Sequence, residues 1–196
     1  MEKVRAILLI AGVAFFALSF FLMALLPILT LSHLPEQTLL EVTPEVSAEF
    51  LDLQERYPES FAKAFGEPSL RNFHSALRRG RDLYVGEGCW HCHSQFVRPV
   101  SNEGLRFGPV SLAGEYQNEM QKPVLFGTRR VGPDLTREGG KRSNDWHAAH
   151  FYRPMNVAPV SVMPEYPWLF EQGPGGVPVP NEDGLSLIAY MQWLGS

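Results

Sequence analysis

Hydrophobic and polar positions divide this 196-residue chain unevenly. Residues 6–32 carry no charged side chain, and residues 6–26 carry no proline either. Those 21 residues, at about 1.5 Å each in a helix, reach about 31 Å, the thickness of the hydrocarbon layer of a bilayer. The run is apolar on every face, which a helix half-buried on a protein core is not. It is also longer than the apolar stretch of a cleavable signal peptide, and residues 31–35 make a poor cleavage site. The pattern predicts an uncleaved transmembrane anchor over 6–32 behind a short N-terminal segment, 1–5. Residues 33–68, punctuated by Pro35, Pro44, Pro58 and Pro68, read as a connector with short helical stretches such as 45–57.

Residues 69–196 have the length of one globular domain. Leu70, Phe73, Leu77 and Tyr84 recur at helical spacing, and Gly86 and Gly88 can end that helix. Leu185, Ile188, Tyr190 and Leu194 supply the apolar contacts of a last helix, with Asn181 as N-cap and Glu182 and Asp183 in its first turn. A short middle helix is expected over 143–152. Between His93 and that helix lies a segment rich in Gly and Pro, far longer than the usual 4–6 residue loop. Such a segment is expected to wrap a bound group and to touch partner subunits.

Charge adds an orientation. Lys3 and Arg5 precede the apolar run, and the first charges after it are Glu36, Glu41, Glu45 and Glu49. The positive-inside rule then puts the N-terminus in the cytoplasm and the remainder outside. A net charge of −4 with 17 Lys and Arg leaves no broad basic surface, so nucleic acid is not an expected partner.

The chemistry centres on residues 89–93, Cys-Trp-His-Cys-His. Cys-x-x-Cys-His is the attachment pattern of a c-type haem. Two thiols three residues apart can both form thioethers to one porphyrin, and the following His93 becomes an axial ligand of the iron. With only two cysteines a disulfide scaffold is excluded. A thioredoxin-like pair would sit near a βαβ pattern, which is absent from the sequence. The stronger rival is zinc held by Cys89, Cys92, His147 and His150, although His-x-x-His is shorter than the usual finger spacing. Helices before the haem motif and at the C-terminus, crossing each other, are the arrangement of class I cytochromes c. The fold class expected is mainly α: one transmembrane helix, then a class I cytochrome c domain with long loops.

A second axial ligand is sought among six methionines. Met163, in the proline-stiffened stretch 162–168, is favoured over Met155, because a thioether held there can face His93 and raise the potential. The segment 132–135, Gly-Pro-Asp-Leu, is similar to the Gly-Pro-x-Leu of class I cytochromes c, where the proline carbonyl accepts from the proximal histidine. Pro133 is the candidate for that role. Arg129 and Arg130, just upstream, are candidates for the haem carboxylates.

Four blocks, 88–99, 126–135, 139–147 and 163–169, together with the single N-terminal span, resemble the membrane-anchored monohaem cytochrome c subunit (subunit II) of cbb(3)-type cytochrome c oxidases. The resemblance implies one covalent haem c on Cys89 and Cys92 with His93 and Met163 as axial ligands. It implies a single-pass protein of the bacterial inner membrane, with the cytochrome domain on the outer face. It also implies a haem–copper catalytic subunit as partner and a cytochrome c as electron donor. Calcium near the subunit interface belongs to the family too, and Ser111 is the candidate position for it. No residue suggests bond-making chemistry of the chain's own. The alternatives are the cytochrome c subunit of a nitric oxide reductase, a free membrane-tethered carrier, and the zinc-stabilised module.

Overall fold

The computed structural model describes residues 1–127 and 129–196. They form two units, Met1–Glu36 and Gln37–Ser196. The first is one continuous helix, Glu2–Leu31, long and apolar enough to cross a membrane, with none of its side chains buried. The helix widens to a π turn over Phe21–Leu25, just before Pro27. Proline lacks an N–H and its ring crowds the carbonyl one turn back, so a wider turn relieves the helix there. The Thr30 hydroxyl donates to the Leu26 carbonyl at 2.8 Å, so the polar atom is satisfied within the helix.

The second unit is built on two crossing helices, Leu70–Gly86 and Glu182–Trp193. Ser69 caps the first by accepting from Asn72 N–H at 3.2 Å, and Asn181 caps the second by accepting from Gly184 N–H at 3.1 Å. They meet at Gly80, where a Cβ would overlap the Ser186 carbonyl and the Tyr190 side chain; only glycine lets the backbones approach so closely. Tyr84 and Tyr190 pack edge to face there, 5.7 Å between centroids. Nearly every residue of the C-terminal helix is buried.

Residues 37–68 differ from the connector expected of them. Their helices Leu39–Val42, Ala48–Arg56 and Pro58–Phe65 carry Leu39, Phe50, Leu53 and Phe61 into the same core as the crossing helices. Phe50 lies 5.1 Å from Phe61 and 4.9 Å from Phe73. Trp193 Nε1 donates to Thr43 Oγ1 at 2.7 Å, and Asn144 Nδ2 donates to the Glu49 carbonyl at 2.8 Å. The prolines there begin and separate short helices. The middle helix is Asn144–Tyr152, capped by Ser143. A small antiparallel ribbon pairs Phe170–Gln172 with Pro178–Pro180 just before the last helix.

Candidate functional site

The Leu70–Gly86 helix delivers the chain to the cysteine motif. Gly86 is its last helical residue, and Gly88 turns the chain at φ 72°, where a side chain would be strained. One helical turn, Cys89–Cys92, follows and places both thiols, unpaired, on the wall of a cavity of about 880 Å³. That volume is in the range of cofactor sites. His93, Pro133 and Met163 line the same cavity. Met155 does not, and is 55 % exposed.

His93 is held by backbone on two sides. The Tyr84 hydroxyl donates to its carbonyl, which ties it to the helix crossing. Its Nδ1 lies 3.0 Å from the Pro133 carbonyl, and Nε2 has no protein partner among the described residues. Residues 125–127 and 129–135 run back along 91–96. Gly132 N–H donates to the Cys92 carbonyl at 3.2 Å, Leu135 N–H to Ser94 at 3.0 Å, and Gln95 N–H to Leu125 at 2.8 Å. A Cβ on Gly132 would run into the His93 ring, so glycine lets this backbone reach the imidazole. Thr128, inside the matched block 126–135, lies outside the described residues.

Electrostatics separates the readings. Burial pushes the Cys89 thiol up to about 11, opposite to the lowered values of reactive thiols. Burial also lowers the His93 pKa against the opposing hydrogen bond to Pro133, which favours the neutral, metal-binding imidazole. His147 and His150 line the cavity, and burial pushes each down to about 4. Among the described residues no three His, Cys, Asp or Glu side chains converge to hold a metal ion. Cys89, Cys92, His147 and His150 therefore share a cavity without forming a tetrahedral zinc set.

The arginine candidates lie elsewhere. Arg129 is exposed, and Arg130 binds Asp134 at 2.8 Å and Glu103 at 2.7 Å; neither lines the cavity. The lining cations are Arg106, Lys141 and Arg142, which sequence reasoning passed over. Arg106 and Arg142 lie over the rings of Phe107 and Trp146, at 4.7 and 4.9 Å. Their one sequence signal is Lys-Arg in the matched block 139–147. Ser111 is buried away from the cavity, and its hydroxyl oxygen accepts from Val97 N–H at 2.9 Å and Tyr116 O–H at 2.8 Å.

No curated protein matches the chain. A family model described as cytochrome c oxidase, mono-heme subunit/FixO, matches residues 55–176, more than half of the sequence. The match spans the cysteine motif, the 125–135 segment and the Met163 loop, and with the apolar N-terminal helix it places the chain in the family of monohaem subunits of cbb(3)-type cytochrome c oxidase.

Proposed function

We propose that this protein holds one covalent haem c in the cavity of its globular unit and relays single electrons from an outer-face cytochrome donor to the haem–copper subunit of its oxidase. The observation that carries this reading is that Cys89, Cys92, His93 and Met163 line one cavity, with His93 Nδ1 on the Pro133 carbonyl. Bound there, the haem supplies a one-electron iron couple. Cys89 and Cys92 anchor it through thioethers. His93 ligates through Nε2, the nitrogen that the Pro133 bond leaves open, and that bond sets the ring's orientation and basicity. Met163 would supply the iron's second protein ligand. Arg106, Lys141 and Arg142 take the haem carboxylates, in place of Arg129 and Arg130. The chain itself makes and breaks no substrate bond. Lys3 and Arg5 ahead of the span keep the N-terminus cytoplasmic and the haem domain on the outer face.

The test is to tag the chain's C-terminus, purify it gently from membranes, and stain a denaturing gel for covalent haem. A stained band at the chain's 22.0 kDa plus the tag and haem, with oxygen consumption and copper in the co-purifying complex, is the expected result. A band without haem sinks the reading. Nitric oxide turnover with non-haem iron moves the chain to the reductase alternative, and a haem protein without partners makes it a free carrier.

A further inference from the structure

We infer that Asp134 is a positioning residue that sets the orientation of the His93 imidazole through Pro133; this rests on the haem reading above. The Asp134 side chain is fully buried, at 0 % exposure. Its Oδ1 accepts from Thr136 N–H at 2.8 Å and from Thr136 Oγ1 at 2.5 Å. Its Oδ2 accepts from Phe96 N–H at 3.0 Å and from Arg130 Nη1 at 2.8 Å. Oδ2 faces two N–H donors, and Oδ1 faces an N–H and a hydroxyl, so both oxygens are tied.

The position of this residue gives the arrangement its consequence. The Pro133 carbonyl that meets His93 belongs to the peptide unit ending at the Asp134 nitrogen. On its N-terminal side the backbone is tied only by Gly132 N–H to the Cys92 carbonyl at 3.2 Å, because Pro133 has no N–H and Gly132 has no side chain. Asp134 is the first residue after the carbonyl whose side chain is pinned. It is pinned to both runs of chain that frame the histidine, 94–97 through Phe96 and 132–136 through Thr136. Arg130 completes the frame by donating to the Phe96 carbonyl at 2.9 Å and to Glu103 at 2.7 Å. Glu103 in turn accepts from Arg98 at 2.7 Å and, among the described residues, makes no hydrogen bond to 132–136. A carboxylate that served packing alone would hold the two runs together without changing the ligand plane.

Three variants of the full chain, purified with haem, separate these roles. Asp134→Asn can offer its oxygen to one donor set only, so the amide nitrogen meets the other. The expected result is attached haem, a displaced largest g-value in the ferric electron paramagnetic resonance spectrum, and a raised potential. A weaker bond to Pro133 makes the imidazole a poorer donor to ferric iron, and the lost negative charge acts in the same direction. A tenfold higher reduced-to-oxidised ratio at fixed poise, about 59 mV for one electron, is the size expected. Thr136→Val removes a donor and no charge, and should move the g-value in the same direction by less. Glu103→Gln removes the same charge on the far side of Arg130, and should leave the g-value in place. Wild-type g-values in Asp134→Asn overturn the inference. Should that variant fail to accumulate, wild-type g-values in Thr136→Val overturn it as well. A displaced g-value in Glu103→Gln equal to that in Asp134→Asn reduces the effect to charge and also overturns it. Wild-type protein without covalent haem instead refutes the haem reading.

Discussion

His93 and Met163 line one cavity, but His93 sits on backbone tied at both ends and Met163 sits in a loop held by little. The His93 side is secured by Tyr84, by the bonds of 125–135 onto 91–96, and by the buried Asp134. The Met163 side has no helix or strand from 158 to 166, and its neighbours Val160 and Val162 are 93 % and 79 % exposed. Its ties include Met163 N–H to Ser161 Oγ at 3.2 Å, Ser161 N–H to the Ala158 carbonyl at 2.8 Å, Tyr166 N–H to the Phe151 carbonyl at 3.0 Å and an exposed Arg153–Glu165 ion pair at 3.3 Å. The difference teaches where rigidity is needed. On the proposed haem reading, covalent attachment and a preset imidazole fall to one half of the site. The other half needs only a thioether within reach, and prolines at 164 and 167 limit its freedom.

The comparison breaks most sharply at Gly132. Gly132→Ala puts a methyl into the His93 ring, and overpacking of that kind costs about 1–3 kcal/mol or more. The expected outcome is loss of most haem-loaded protein, read as haem stain per unit of protein in membranes. Normal loading would show that the 125–135 backbone has room to retreat.

On the looser side the effect should be spectral. Met163→Leu should keep the covalent haem, abolish the near-infrared ferric methionine–iron band and lower the potential. Met155→Leu should change neither, because its side chain is exposed away from the cavity. The reverse pattern would transfer the ligand role to Met155.

The smallest effect comes from pH. His147 is 2 % exposed on the Asn144–Tyr152 helix, whose Phe151 carbonyl holds the Met163 segment. Burial lowers its pKa from 6.5 to about 4. The unfolded chain therefore takes up a proton that the folded one refuses. Stability is full above pH 6.5 and falls as pH drops toward 4, by up to about 1.4 kcal/mol per unit. Denaturant titrations at pH 7 and 5.5 should show this slope, and His147→Gln should remove its share. An unchanged slope would mean that the imidazole already charges in the folded protein.

What the sequence determined by itself was everything whose physics is local. The span needs only length and the absence of charge, because a bilayer supplies the solvent. The thiols and His93 sit within five residues, so their spacing alone makes the haem-attachment pattern legible. Ser143 and Asn181 cap helices through bonds to residues three positions on. The ribbon of Phe170–Gln172 with Pro178–Pro180 escaped notice because three-residue strands containing proline show no period. Only the tertiary structure decided that Arg130 faces Asp134 and Glu103 instead of the cavity, and that Arg106, Lys141 and Arg142 line it. It also decided that residues 37–68 join the core and that Asp134, an unremarked position within Gly-Pro-Asp-Leu, braces the histidine. Most of these depend on distances between residues tens of positions apart, such as Arg130 to Glu103 and Asp134 to Phe96. A local pattern carries no record of such distances, since the same charged or apolar residue satisfies its own element whichever partner the fold brings to it.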